Sequence, residues 1–361
     1  MESKTAWPET LIGWYRSGHR DLPWRATKDP YRIWISEIML QQTRAAAVIP
    51  YYKRFLLLFP TVYDLAECRE QDLLKAWEGL GYYSRARNLQ KTARILVSSL
   101  GGMLPGKPEE LRKLPGIGAY TAGAIAAIAF GYPCAAVDGN FLRVWARLFS
   151  LEEPVDRPDV KKRITEEANA LCMRLSDPGA FANAMMELGA MVCLPKTPVC
   201  TQCPLSKNCR ASCDGTWGRY PIRLPKRERR TEKRDVFLVS DGQRVAVARR
   251  DETLLAGMYG FPNAEGEGNP ECMCLELEKM GIHAAYEKTL GEAEHIFTHI
   301  AWEMRIHAFR LLEPVNAPWQ MTDEKGLAQL PMPAAFRCAR ELAMRLLHRA
   351  DGPKSRSTKN E

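Results

Sequence analysis

"LPGIGAYTAGAI", residues 114–125, decides the fold: two glycines bracket one isoleucine, and a run of small, mostly apolar residues follows at once. One helix is expected to end near Leu114 and another to begin near Ala119, leaving Pro115-Gly116-Ile117-Gly118 as a tight turn. Glycine admits positive φ and lets a ligand come close to the backbone. The second helix start offers unpaired N–H donors and the positive end of its dipole, a ready site for an anion. Ile117 can pin the turn into the core. Gly116, Ile117 and Gly118 therefore form a candidate helix-hairpin-helix phosphate clamp, within about 108–130. From this stretch alone, an ordinary tight helix–helix turn stands beside that reading.

Working outward, residues 1–213 read as helical. "YRIWISEIMLQQTRAAAVIPYYKRFLLLF" (31–59), "FLRVWARLF" (141–149) and "DVKKRITEEANALCMRL" (159–175) all carry apolar residues at helical spacing. Residues 214–234, "DGTWGRYPIRLPKRERRTEKR", break the pattern with prolines, glycines and eight Lys or Arg, and read as a basic linker. The period then changes. "DVFLVSDGQRVAVARR" predicts a β-hairpin around Asp241–Gly242, and "AWEMRIHAF" (301–309) alternates, with Trp302, Met304 and Ile306 on one face. "PECMCLELEKMG" and "AAFRCARELAMRLLHR" are helical, so 235–349 is expected to be an α+β domain. The apolar-poor tail, 350–361, is expected to be disordered.

The length of 361 residues suits two or three domains, and a 46% hydrophobic content is ample for their cores. No apolar run approaches the roughly 18 residues of a membrane span, and "MESKTAWPET" does not read as a secretion signal. A net charge of +8 favours a polyanionic partner. Four of the eleven cysteines, Cys193, Cys200, Cys203 and Cys209, crowd together as C-x6-C-x2-C-x5-C. Without an export signal, that crowding points to metal ligation rather than disulfides. Zinc and a 4Fe-4S cluster both accept four cysteines. The loops between them carry Lys196 and Lys207, with Arg210 beyond, which can meet phosphates, and Cys213 is surplus to a four-ligand set.

Clamp and cysteine loop together, on a helical chain, resemble the endonuclease III superfamily of DNA glycosylases over residues 5–213. In that superfamily this spacing ligates a 4Fe-4S cluster. The resemblance implies a helical fold with DNA crossing a cleft between two subdomains.

Two carboxylates lie in contrasting surroundings. Glu37, in "IWISEIMLQQ", is flanked by Trp34, Ile38 and Met39; if buried there, its pKa rises and it can serve as a general acid. A place on the helix's exposed edge would remove that role. Asp138, in "AAVDGNFLRV", stands where a helix begins, so N–H donors and the dipole are expected to keep it ionised, although Asp138 or Asn140 also suits a plain N-cap. One neutral acid and one anion divide the labour of glycosidic cleavage through oxocarbenium-like transition states.

"DLPWR", "WISEIMLQQT", "GLGYYSRARNL", "LPGIGAYTAGAI", "VDGN" and "MMELGAMVC" together resemble the MutY family of adenine DNA glycosylases, which remove adenine mispaired with 8-oxoguanine and leave an abasic site. The resemblance implies that Glu37 protonates adenine N7, Asp138 stabilises the sugar cation, Asn140 supports Asp138 and Tyr120 lines the transition-state site. It implies contacts from Trp24, Arg25 and Glu187 to an extruded adenine. Gln42 and Tyr82 would wedge the duplex beside the oxidised guanine, with Leu40 and Thr43 flanking. Bifunctional relatives carry a lysine where Tyr120 stands; a phenol cannot form a Schiff base, so base excision without an efficient strand-cutting step is expected.

"LLAGMYGFPNAEGE" (254–267) resembles part of a Nudix-type domain as found at the C-terminus of that family. The next helix has Glu271, Glu276 and Glu278 but no R-E-x-x-E-E pattern, so the domain is expected to bind rather than hydrolyse. In the family it helps to recognise 8-oxoguanine, through a motif often written Phe-Ser-His. "HIFTHI" places Phe297, Thr298 and His299 there; Thr298 keeps the hydroxyl and adds a methyl.

The chain is thus expected to combine an all-α glycosylase domain (1–213, cluster loop 193–209), a basic linker (214–234), an α+β Nudix-like domain (235–349) and a tail (350–361). Its expected partner is double-stranded DNA holding adenine opposite 8-oxoguanine or guanine; no membrane is expected. A monomer in a bacterial cytoplasm, associated with the nucleoid, is the expected setting. The alternatives are a pyrimidine-lesion glycosylase and lyase of the endonuclease III type, opposed by Tyr120; a metal-stapled DNA-binding protein, which gives Glu37 and Asp138 no purpose; and a nucleotide pyrophosphohydrolase, opposed by the missing glutamates.

Overall fold

A computed structural model of the chain describes residues 6–225, 229–251, 255–297 and 299–350. The reading of 350–361 as a disordered tail falls, beyond residue 350, outside the described residues. Two compact units are present. One holds residues up to 68 together with 84–226; the other holds 69–83 together with 227 onward.

The helices of the first part of the chain are α1 (Trp7–Ser17), α2 (Pro30–Leu40), α3 (Ala45–Leu58), α4 (Val62–Glu67), α5 (Glu70–Ala76), α6 (Ser84–Ser99), α7 (Pro108–Leu111), α8 (Ala119–Phe130), α9 (Gly139–Phe149), α10 (Pro158–Cys172), α11 (Pro178–Met191) and α12 (Arg210–Cys213). Of these, α5 belongs to the second unit. Helix starts follow their capping residues: Asp29 accepts from Tyr31 N at 2.9 Å, and Asp177 from Ala180 N at 2.8 Å. The apolar stretch 31–59 is divided between α2 and α3 by a turn in which Gln42 has φ 58°.

Small residues let α8 sit close to its neighbours. A Cβ at Gly123 would lie 2.5 Å from the Ala135 carbonyl oxygen, and one at Gly179 2.8 Å from that of Ala127. Neither contact tolerates a methyl group, so α11 and the 135–136 strap pack backbone-close on α8. Beside them lies an aromatic core. Trp145 stacks on Phe141 with centroids 5.4 Å apart, and Trp7 meets Trp145 edge-on at 6.2 Å. This layout fixes α2, α8, α9 and α11 around one another.

The segment 214–234 is structured at both ends. Tyr220 is buried, its hydroxyl donates to Glu152 Oε1 at 2.6 Å, and Ile222 O accepts from Val155 N at 3.0 Å. Strand β1 already begins at Arg230.

The second unit is built on β1 (Arg230–Ser240), β2 (Val245–Arg249), β3 (Tyr259–Gly260), β4 (Asn263–Glu265), β5 (Ala284–Ile296), β6 (Ile300–Leu311) and β7 (Gln320–Thr322). The sheet order is β3-β2-β1-β6-β5, with β4 on β1 and β7 on β2. The expected hairpin is present: Ser240 pairs with Val245, and Gly242 takes φ 95° in the turn. Strands β1 and β6 run parallel, β5 and β6 antiparallel. Alternation sends Val236, Leu238, Trp302, Met304 and Ile306 to one face, covered by α15 (Arg337–Ala350). Phe237, Val239 and Phe309 point to the other, covered by α13 (Pro270–Lys279). Helix α14 (Glu324–Gln329) precedes α15. Among the described residues no helix is long and apolar enough to cross a membrane.

Candidate active site

The loop that opens α8 has the shape a backbone clamp requires. Gly116 has φ 77°, and a Cβ there would meet Asn88 Cβ at 2.7 Å. Ile117 is buried while Gly116 and Gly118 are exposed. Gly118 is the N-cap of α8 and no side chain caps the helix start, so its first N–H groups have no intrahelical or side-chain cap acceptor. Thr92 of α6 braces the loop from behind, donating to Pro115 O at 2.9 Å.

Glu37 on α2 is 3% exposed and accepts the Tyr120 hydroxyl at 2.9 Å on Oε2; the same phenolic oxygen lies 3.1 Å from Met186 Sδ. Burial pushes the Glu37 pKa up to about 7; the Tyr120 bond and Arg25 restrain the rise, and the Asp138 charge adds to it. The exposed-edge alternative is excluded for Glu37.

Asp138 caps α9 by accepting from Phe141 N at 2.7 Å. Asn140 Nδ2 donates to its other oxygen at 2.9 Å, and Asn140 Oδ1 in turn accepts from Arg143 Nη2 at 2.8 Å. The sequence led us to expect donors and dipole to dominate here. Instead burial is the largest influence and moves the pKa of Asp138 above the ordinary value, while Phe141, Asn140 and Arg143 oppose it. The donors limit a rise rather than produce a depression.

Glu187 on α11 is equally buried but strongly paired. It accepts from Arg20 N at 2.9 Å, Arg20 Nη2 at 2.6 Å and Arg25 Nη2 at 2.7 Å. Burial, the largest single influence, pushes its pKa up; the bonds from Arg20 and Arg25 together overcome that and bring it to about 2. Trp24 is buried edge-on against Tyr52, 5.4 Å between centroids. The structure thus joins Arg25 to Glu187 and adds Arg20, which the sequence did not single out.

At the end of α2, Leu40 and Thr43 are half-buried and Gln42 is exposed at positive φ. Arg85 on α6 closes this turn: Nη1 donates to Ile38 O at 2.9 Å, Met39 O at 3.0 Å and Gln41 O at 2.6 Å. Neither the motif nor its spacing revealed that role. In the second unit, Tyr82 is 44% exposed with φ 48°, in a loop where Trp77 Nε1 donates to Gly81 O at 3.1 Å. Only four non-glycine residues among those described take positive φ, and Gln42 and Tyr82 are two of them.

Cys193, Cys200, Cys203 and Cys209 line one cavity with Val192, Pro198 and Trp217. Arg147 Nη1 lies 3.3 Å from Cys193 Sγ. Burial raises Cys203 to about 12 and Cys209 to about 11. Such thiols become thiolates only beside a cationic centre, as metal ligands do. Among the described residues no three metal-capable side chains gather tightly around a single-ion position. Cys213 is exposed and outside the lining.

In the second unit, Phe297 N donates to Ile300 O at 2.8 Å across the β5–β6 turn, and its ring packs edge-on against Trp302 at 4.9 Å. His299 is exposed at the tip. Thr298 lies outside the described residues.

Residues 35–170 match the HhH-GPD superfamily of base excision DNA repair proteins, and residues 235–341 match the NUDIX domain. The chain is 33% identical to the human adenine DNA glycosylase, over 89% of this chain and 71% of that protein. It is 34% identical to the adenine DNA glycosylase of Rattus norvegicus, over 85% of this chain and 71% of that one. The solved structure of a thermostable thymine-DNA glycosylase superposes with a TM-score of 0.53 at 30% identity, covering 58% of this chain and 96% of that one.

Proposed function

The chain belongs to the adenine DNA glycosylase family, an enzyme family acting on N-glycosyl bonds in DNA repair, and from that premise we propose that it excises adenine paired with 8-oxoguanine or guanine by acid-assisted cleavage, without a lyase step. The observation that carries this reading is the Glu37–Tyr120–Asp138 arrangement. Glu37 is poised near neutrality and so holds a proton it can give to adenine N7. The C1′–N9 bond then breaks, its electron pair leaving with the base, and the sugar becomes cationic. Asp138, oriented by Phe141 N–H and Asn140, supplies the facing negative charge until water adds at C1′. Tyr120 offers a hydroxyl where a lyase needs an amine.

The base must leave the stack before any of this. Gln42 and Tyr82, both held in a strained backbone conformation at exposed loop tips, would fill the gap. Leu40 and Thr43 would flank Gln42, and Gly116–Gly118 would hold a phosphate by backbone N–H groups. Trp24, Arg25 and Glu187 would border the extruded adenine. Phe297, Thr298 and His299, in the α+β unit, would meet the oxidised guanine. Cys193, Cys200, Cys203 and Cys209, which line one cavity, would hold a 4Fe-4S cluster, the group that this spacing ligates in the resembling superfamily. Bound there, the cluster would hold the 193–209 loop in shape.

Duplexes with adenine opposite 8-oxoguanine, guanine or thymine test the reading. Free adenine and alkali-dependent scission are expected with the first two. No adenine from any duplex would overturn it.

A further inference from the structure

A helix that the sequence assigns to the glycosylase fold is bound by side chains of the sheet unit. Within that unit, Glu78 of the segment 69–83 accepts from Lys75 Nζ at 2.6 Å and pairs on its other oxygen with Arg340 of α15. Arg340 Nη2 also donates to Leu327 O and Ala328 O, each at 2.7 Å, at the end of α14. Lys75 Nζ reaches the same Ala328 carbonyl at 2.7 Å. Two cations, one carboxylate and one helix terminus thus close on each other. Outer contacts repeat the link: Arg249 lies 3.4 Å from Glu70 Oε1, and Gln71 Nε2 lies 3.4 Å from Tyr259 Oη.

The inner bonds have the features of a specific joint. The Arg340 and Glu78 side chains are 16% and 23% exposed, so their attraction is only partly screened. Both amino acids also satisfy backbone carbonyls or a second cation, which fixes their rotamers. Glu78 stands four residues before Tyr82, and the intervening turn is stiffened by the Trp77–Gly81 bond and by Gly79 N, which donates to Tyr83 Oη at 3.4 Å. A force on Glu78 therefore reaches the strained Tyr82 backbone through a short, hydrogen-bonded path.

We infer that Arg340, with Lys75, is a positioning residue for the Tyr82 loop, so that the C-terminal unit governs mispair discrimination by holding the wedge as well as by any contact with guanine. This rests on the reading of Tyr82 as a duplex wedge. Releasing Glu78 removes one constraint on the loop that holds Tyr82 at φ 48°, and a less rigid wedge discriminates less between partners of adenine.

Arg340→Ala, Arg340→Lys, Tyr82→Ala and the Arg340→Ala/Tyr82→Ala pair are compared in the full-length protein by single-turnover adenine release opposite 8-oxoguanine and opposite guanine. Arg340→Ala is expected to lower the ratio of the two rates by about fivefold, and the double variant should lose no more than Tyr82→Ala alone. Arg340→Lys, which keeps the positive charge but not the forked donors, should recover part of the ratio. A merely structural loss would reduce both rates alike and leave the ratio untouched, which would overturn the inference, as would fully additive losses. If Tyr82→Ala itself changes nothing, the wedge reading fails instead and the inference falls with it. If the wild type releases no adenine, the proposed function fails first.

Discussion

Tyr120 donates its phenolic hydrogen to Glu37 Oε2 across 2.9 Å, so the helix that follows the glycine loop is wired to the buried acid of α2. The bond favours the carboxylate and lowers a pKa that burial raises.

Tyr120→Phe removes that restraint. Glu37 should then hold its proton to higher pH, and the alkaline limb of adenine release should move upward from about 7. A pH–rate profile under single-turnover conditions checks the direction; an unmoved or falling limb would contradict the assignment.

Glu37→Gln should slow adenine release by about 10²–10⁴-fold, the usual worth of a positioned general acid, while duplex binding persists. For the wild type, the rate should fall about tenfold per pH unit above the Glu37 pKa. The same substitution should alter stability. Because the folded pKa of about 7 exceeds the ordinary 4.5, the native state binds more protons between these values, and wild-type stability declines as pH rises through that window. Glu37→Gln should flatten that decline, worth about 3 kcal/mol by linkage, in urea melts at pH 5 and 8.

Glu187 is the opposite case. Its folded pKa of about 2 lies below the ordinary 4.5, so its contribution is present above 4.5 and is lost as pH falls toward 2. Glu187→Gln should destabilise the protein by about 2–3 kcal/mol at pH 7, leaving the buried Arg25 and the half-buried Arg20 beside a neutral amide. Equal melting midpoints would refute this.

Tyr120→Lys places an amine beside Glu37. Borohydride should then trap a covalent DNA adduct that the wild type does not form, detectable as a shifted band on a denaturing gel. Efficient trapping by the wild type would overturn the monofunctional reading.

Cys200→Ser should abolish visible iron–sulfur absorbance and weaken duplex binding. Colourless wild-type protein carrying stoichiometric zinc would decide against the cluster.

Much of this was legible because it is local. The P-G-I-G turn, the D-G-N cap at Asp138 and the alternation of Trp302, Met304 and Ile306 each follow from a few neighbouring residues. For Glu37 the neighbours Trp34, Ile38 and Met39 made burial one of two readings, and the fold settles it by burying the carboxylate. The arginines were not legible. Arg20 meets Glu187 across 167 positions, and Arg85 closes the end of a helix more than forty residues away. A long side chain has a reach that periodicity does not encode, and its partner is fixed only when helices pack. The same holds for α5: its helical period is visible, but the chemistry of Lys75 and Glu78 says nothing of Arg340. For Asp138 the capping donors were visible because they are local, whereas the desolvation that raises its pKa is set by the whole surrounding fold.

Because residues 69–83 share a compact unit with the sheet, the chain is not two beads joined by one string. A protein cut after residue 225 would be no clean domain deletion: it would take Arg340 from Glu78 and the Ala328 carbonyl from Lys75, and remove the sheet with which residues 69–83 form one unit. Any selectivity lost by such a truncated enzyme would mix two injuries, and only point substitutions in the intact polypeptide can tell them apart.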